Sequence, residues 1–251
     1  MKADINLIVI LGPTASGKTA VAARLASELA SEIISVDSRQ VYRGLDIGSG
    51  KDLDEYVIDG KLVPYHLIDI IGPEEEFSVY HYQKRFFEVY EGFLDKGLIP
   101  IMAGGTGMYI DSVLSRYEMV EAAEDKTLRA KLSELGDEAL VAHLKRINPD
   151  LHNTTDLKDR SRMIRAIEIA ERASSLGSAK PLPELNPLVI GLKWPREIIR
   201  ERINIRLRKR LDSGLIEEVE RLHAEGVSWE RLDYFGLEYR FVASYLQGKM
   251  N

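Results

Sequence analysis

An open α/β fold, a parallel sheet flanked by helices and interrupted by a helical insertion, is predicted for this chain by three observations. Short β-branched and leucine-rich runs at 6–11, 33–36, 98–102 and 187–192 alternate with segments of helical periodicity, and that alternation implies crossovers and parallel pairing. Two of the runs end in glycine-containing turns, Gly12-Pro13 and Ala103-Gly104-Gly105-Thr106-Gly107, at the strand ends where open sheets gather ligands. Residues 116–184 lose the strand pattern and become charged helical segments.

The elements follow in order. Asn6–Leu11 reads as a buried strand closed by Gly12 and Pro13. A helix from Thr19 to about Ala30 carries Val21, Leu25 and Leu29 on one stripe, the face expected to pack. Ile33–Val36 is a second buried strand ending in Asp37. The helix Ser78–Lys96 repeats Val79, Tyr82, Phe86, Val89 and Phe93 at helical spacing, so its aromatic residues, Tyr80, Phe87 and Tyr90 included, read as core rather than as a base-stacking platform. Leu98–Met102 is the third strand. After the insertion, in which 174–187 has the prolines of a loop, Pro187–Leu192 resumes as a buried strand. Pro195 then opens a long basic helix to Ser213, closed by Gly214. The chain thus divides into a core of 1–115 with 185–251 and an insertion of 116–184.

Composition narrows the function. The 251 residues include no cysteine, which excludes thiolate catalysis, cysteine-ligated zinc and iron–sulfur clusters and makes the cytoplasm the expected compartment. Leu7–Leu11 is far too short for a membrane span, so no membrane association is expected. A net charge of −6 argues against coating nucleic acid by bulk charge, though a local basic stripe remains able to do so. His66, His81, His143, His152 and His223 have no metal-ligand spacing.

Gly12-Pro13-Thr14-Ala15-Ser16-Gly17-Lys18-Thr19 matches the phosphate-binding loop G-x-x-x-x-G-K-[ST] at every fixed position, between a strand and a helix as that motif requires. Its glycines let amides wrap a phosphate, Lys18 adds charge, and Thr19 offers a hydroxyl to Mg²⁺. The fold class is therefore P-loop NTPase-like. Asp37, at the end of the second strand, is placed to be a general base, a magnesium carboxylate or a turn aspartate. Thr106 faces the same crevice or merely shapes its turn. Eight basic residues against two acidic ones between Lys193 and Arg210 make a net +6, suited to holding phosphates by guanidinium forks or to a solvated face. Arg160, Arg162 and Arg165 form a second basic cluster, with Arg162 and Arg165 on one helical face.

In combination, GPTASGKT at 12–19, VDSRQVY at 36–42, DIGSGK at 46–51, HLID at 66–69, GGTGMY at 104–109, RMIRAIE at 162–168 and the RIN-R and SGLIEEV blocks within 202–219 resemble the tRNA dimethylallyltransferase family. The resemblance spans about residues 7–248. It implies transfer of the prenyl group of dimethylallyl diphosphate to N6 of the adenosine 3′ to the tRNA anticodon. Gly12, Thr14, Ala15, Ser16, Gly17, Lys18, Thr19 and Arg206 would bind the diphosphate, with Mg²⁺ on Thr19, and Asp37 would be the general base. Lys18, Thr19, Arg206 and Asp37 form the implied catalytic set. Asp37, Ser38, Arg39, Gln40, Thr106 and Ser161, Arg162, Met163, Ile164 and Arg165 correspond to positions used around the tRNA. A monomer is expected. The family's G-Y-K-E block appears as Gly236-Leu237-Glu238-Tyr239-Arg240, and the family continues past the equivalent of Asn251 with a basic, aromatic segment, so weaker and less salt-dependent tRNA binding is expected than for a relative that carries it. The alternatives are prenylation of a free adenine nucleotide, an ATP-dependent small-molecule kinase and a non-catalytic tRNA-binding protein.

Overall fold

The computed structural model describes residues 4–149, 157–175 and 181–250; His152 and positions 176–180 of the expected loop lie outside them. The chain divides into two compact units, Met1–Arg116 with Pro183–Asn251, and Tyr117–Leu182.

The first unit is built on a parallel sheet of five strands in the order β5-β2-β6-β1-β7, where β1 is Leu7–Leu11, β2 Ile33–Val36, β5 Tyr65–His66, β6 Ile101–Gly104 and β7 Pro187–Gly191. In register, Val9 of β1 lies opposite Met102 of β6 and Val189 of β7. The remaining strands, β3 (Val57–Ile58) and β4 (Lys61–Leu62), form a separate two-stranded hairpin after a 3₁₀ turn at Leu53–Tyr56. Sequence periodicity passes over these and β5, because two-residue strands carry no alternation to detect.

Helix α1 (Lys18–Glu28) follows β1. It buries Ala22, Ala23 and Ala26 completely, whereas Val21 and Leu29, expected on the packed stripe, are exposed. Small side chains let this helix lie close against the sheet, and close approach is what keeps its N-terminus at the strand ends. Helix α2 (Val79–Lys96) does bury its aromatic stripe: Tyr82, Phe86, Phe87, Tyr90 and Phe93. Ser78 caps it by accepting from the His81 amide, while His81 Nδ1 accepts from the Ser78 amide at 3.2 Å. Gly97, at φ 65°, turns the chain out of it.

Strand β6 begins at Ile101 rather than Leu98 and runs through Gly104, which pairs with Leu11 and Val36. Helix α3 (Gly107–Leu114) follows. Strand β7 departs from expectation: Leu188 and Val189 are exposed, because β7 is the edge of the sheet rather than a strand covered on both faces. Pro195 is the residue before the basic helix α7 (Arg196–Asp212) rather than its first position. Helices α8 (Leu215–Ala224), α9 (Trp229–Tyr234) and α10 (Leu237–Leu246) complete this unit.

The second unit holds α4 (Lys126–Ser133), α5 (Asp137–Ile147) and α6 (Arg160–Ser175), and its core includes Leu132, Leu140, Leu144, Met163 and Ile167. Asp125 caps α4 by accepting from the Thr127 and Leu128 amides, both at 2.9 Å. Burial alone would raise the carboxyl pKa of Glu168. The Arg129 fork at 2.8 Å, the Asp125 amide and Arg165 outweigh that and hold it below the usual range.

Gly104 is a tight point in the sheet, since a Cβ there would meet the Val36 carbonyl carbon at 2.6 Å. Gly104→Ala should therefore lower stability by about 2 kcal/mol. Gly92→Ala, in open space on α2, should raise it by about 0.5 kcal/mol. Urea denaturation followed by circular dichroism distinguishes the two signs; equal effects would disprove the Gly104 contact.

Candidate active site

The loop between β1 and α1 is shaped by two left-handed residues, Ala15 at φ 60° and Gly17 at φ 87°. These turn the backbone so that α1 starts at Lys18, one residue before the expected position. Lys18 Nζ donates to the Pro13 carbonyl at 2.7 Å, folding across its own loop. The loop is held from outside by Trp194, whose Nε1 donates to the Ser16 carbonyl at 3.0 Å, and Arg202 stacks over the Trp194 ring. Gly12 leaves space for this packing, because a Cβ there would meet the Leu192 carbonyl oxygen at 2.8 Å.

Asp37 leaves β2 in a tight turn. Its Oδ1 accepts from the Arg39 amide at 2.8 Å and the Gln40 amide at 3.3 Å, while Oδ2 makes no hydrogen bond among the described residues. Thr106, the residue before α3, accepts from the Ser38 amide at 3.1 Å and ties this turn to the end of β6. A cavity of about 450 Å³ opens here, lined by Lys18, Thr19, Asp37, Thr106, Arg206 and Glu238 among others. The turn reading and the crevice reading of Asp37 and Thr106 therefore hold together. A second cavity of about 670 Å³ shares Lys18, Thr19, Arg206 and Arg210 with the first and adds the carboxylates of Asp46, Asp52 and Glu55.

The third side of the site is α7. Arg202, Arg206 and Arg210 recur every four residues and so share one face. Arg202 Nη1 donates to the Ala15 carbonyl at 3.4 Å. Arg206 Nη2 reaches the Gly50 carbonyl at 3.1 Å and Asp52 at 2.6 Å, and Arg210 Nη1 reaches the Gly48 carbonyl and Glu238, both at 3.1 Å. Arg196, Arg200, Arg208, Lys193 and Lys209 are exposed.

The segment 46–52 that receives two of these arginines is itself fastened. Glu218 of α8 accepts from the amides of Asp46, Ile47 and Gly48 at 2.9, 2.7 and 3.0 Å, and from the Tyr239 hydroxyl at 2.8 Å. Lys51, 2% exposed, donates to the Tyr42 carbonyl, to Asp46 and to Asp69. The Gly50 carbonyl also accepts from Gln40 Nε2 at 3.0 Å, so it joins the Asp37 turn to Arg206. Glu218, Lys51 and Tyr239 lie within blocks visible in the sequence, but spacing alone assigns them no partner.

Electrostatically, burial pushes the Lys18 ammonium down, Asp37 pulls it up, Arg206 pushes it down again, and the net displacement is downward. The Glu55 carboxyl is raised, first by burial and then by Asp52, with Arg206 and the Thr19 hydroxyl partly offsetting both. Among the described residues no cluster of three His, Asp or Glu side chains is arranged to hold a metal. A single hydroxyl donor such as Thr19 suits Mg²⁺, which keeps several waters and takes its other ligands from phosphate oxygens.

Ser161, Arg162, Met163, Ile164 and Arg165 belong to the second unit. Arg162 is exposed, Ser161 donates to Asp159, and Arg165 is engaged with Glu168 and the Ala122 carbonyl. Met163 is 2% exposed and packs in the core, so its side chain is not offered to a ligand. Arg160 is likewise occupied, by Asp137 and by the Ser133 and Leu135 carbonyls. Gln40 is buried between Ser35 and Gly50 and shapes the cavity from behind. The described histidines have structural partners: besides His81 at the start of α2, His66 meets Glu32, His143 meets Glu171, and His223 stacks on Trp229. No described helix is long and apolar enough to cross a membrane.

The chain matches the family described as IPP transferase over residues 40–251, and that described as Isopentenyl transferase over residues 5–63. It is 54% identical over 248 residues to a protein of Syntrophus aciditrophicus named tRNA dimethylallyltransferase 1, covering 98% of this chain and 81% of the relative. The crystal structure of the full-length tRNA isopentenylpyrophosphate transferase of Bacillus halodurans superposes with a TM-score of 0.68 at 34% identity, covering 98% of this chain and 78% of that one. A eukaryotic dimethylallyltransferase acting on tRNA shares the fold, with a TM-score of 0.71 at 19% identity over 98% of this chain and 67% of the other.

The convergence of Lys18 and Arg206 on the same two cavities predicts that inorganic pyrophosphate binds to the protein. In calorimetry, Lys18→Ala should weaken that binding about tenfold or more, the loss of one charge-assisted contact, with the unfolding midpoint held. Unchanged affinity would remove Lys18 from the anion site.

Proposed function

Because the chain belongs to the IPP transferase family, we propose that it transfers the dimethylallyl group of dimethylallyl diphosphate to N6 of the adenosine 3′ to a tRNA anticodon, releasing diphosphate. The observation that carries this reading is a cavity lined by the phosphate-loop Lys18, by Arg206 of α7 and by the carboxylate of Asp37. In the reaction, N6 forms a bond to the allylic carbon C1 as the C1–O bond breaks. The electron pair of that bond leaves on the diphosphate, and the N6 proton passes to Asp37. The two charges this creates lie toward opposite sides of the reacting carbon, and the chain supplies an opposite kind of group for each.

Lys18 and Arg206, each already held by a partner in the chain, and the loop amides take the growing negative charge of the leaving group with little reorganisation. Asp37 is fixed through Oδ1 and has Oδ2 to accept the proton. Thr19 would hold Mg²⁺, which when bound would supply further neutralisation of the diphosphate. Ser38, Arg39 and Thr106 around the cavity, and the exposed Arg162 in the second unit, are read as acceptor-side contacts. Action as a monomer in the cytoplasm is part of the same reading.

Incubation with dimethylallyl diphosphate and either tRNA or AMP, with ATP as the control donor, tests the reading. Prenylated adenosine in tRNA is expected. Product on AMP alone would assign a free-nucleotide acceptor, and phosphoryl transfer from ATP a kinase. Asp37→Asn should lower turnover by about 10² to 10⁴, because the amide keeps the acceptor oxygen for the turn but takes no proton. Pyrophosphate affinity should change little. Rescue of that variant by high Mg²⁺ would instead make Asp37 a metal carboxylate. Thr19→Ala should raise the Mg²⁺ concentration giving half-maximal rate; an identical Mg²⁺ dependence would remove Thr19 from the metal site.

A further inference from the structure

Arg210 has no role in the reading above, yet it is the most deeply placed cation of the α7 face, with only 8% of its surface exposed. Burial, followed by the adjacent Arg206 charge, disfavours its protonated form, and Glu238 and Asp52 offset this only in part. Its Nε is buried and without a hydrogen-bond partner among the described residues. Its Nη1 bonds account for one edge of the guanidinium, to the Gly48 carbonyl and Glu238. Its Nη2 points with Arg206 Nη2 into the space that a side chain at Gly50 would fill. Gly50 has φ 66° and no Cβ, so two cationic tips converge where any other residue would part them. Both arginines line both cavities that meet at Lys18 and Thr19.

Two like charges brought together at low exposure are costly unless an anion shares them. We propose that Arg210 is a second diphosphate-binding arginine, paired with Arg206 across Gly50. This inference rests on the proposed function of the same site. One guanidinium neutralises a phosphoryl group from the phosphate-loop side, and the second distributes the remaining charge of the leaving diphosphate. In the free protein, Asp52 occupies Arg206 and Glu238 occupies Arg210, and both compete with that anion.

A role limited to holding Gly48 and Glu238 makes a different prediction, so two variants separate the possibilities in pyrophosphate calorimetry. Arg210→Met should weaken pyrophosphate binding about tenfold and weaken inorganic phosphate much less, because only the longer anion spans both arginines. Glu238→Gln keeps the hydrogen-bond acceptor but removes the competing charge, and should tighten pyrophosphate binding about two- to threefold. If Arg210 merely fastens the loop, Glu238→Gln weakens binding or leaves it unchanged, and that result overturns the proposal even if Arg210→Met fails to fold. Equal pyrophosphate affinity of Arg210→Met and the unaltered protein overturns it too, while leaving the transferase reading intact. Failure of the unaltered protein to bind pyrophosphate removes both.

Discussion

The site depends on one buried carboxylate committed to the chain's own backbone. Glu218 gathers three successive amides of 46–48 and the Tyr239 hydroxyl, so an otherwise irregular segment is held as firmly as a helix terminus. Tyr239 is buried, and burial followed by the Glu218 charge pushes its hydroxyl well above the ordinary tyrosine value, which keeps it a donor. Because this segment is fixed, the Gly50 carbonyl has a defined position, and both Gln40 and Arg206 take their bearings from it. Removing a buried charged acceptor that serves several amides leaves each of them unsatisfied, which is why so much geometry can rest on one side chain.

The remaining cations obey the same economy of partners. Lys51 is buried against two carboxylates and a carbonyl, and Lys18 is folded onto its own loop. Neither has to search for its position when a ligand arrives. Such prior ordering is what separates an electrostatic site from a merely basic surface, and it is how an acidic protein would carry the proposed anion site. The charge that matters is local and already oriented.

Much of the sheet was legible because β1, β2 and β6 are short apolar runs with glycine-bearing or acidic ends. The phosphate loop was legible because its chemistry leaves little choice of residue. Helix α1 differs from its sequence pattern in part: Leu25 of the stripe packs on the core, but Val21 and Leu29 are exposed, because close packing on a sheet selects the alanines. β7 was misread because an apolar run does not reveal whether a second layer covers it. Lys51, Glu218 and Arg210 stood inside recognisable blocks without assigned partners. The amides on Glu218 and the Gly48 carbonyl on Arg210 come from far along the chain, and contacts across 162 to 172 residues of sequence leave no periodic trace; the partners of Lys51 are 5 to 18 residues away but sit in irregular turns. In the basic cluster at 160–165, spacing shows which arginines share a face but not that Arg160 and Arg165 are paired with carboxylates of their own unit.

The turn at Asp37 has a consequence for how the rate should respond to temperature. With one oxygen shared between the amides of Arg39 and Gln40, the side chain has surrendered its rotational freedom during folding, long before an acceptor arrives. A proposed proton acceptor on an untethered side chain would lose that freedom anew in each catalytic cycle, as an unfavourable activation entropy. Here the loss is built into the native state, so Asp37 as proton acceptor would add little unfavourable activation entropy of its own.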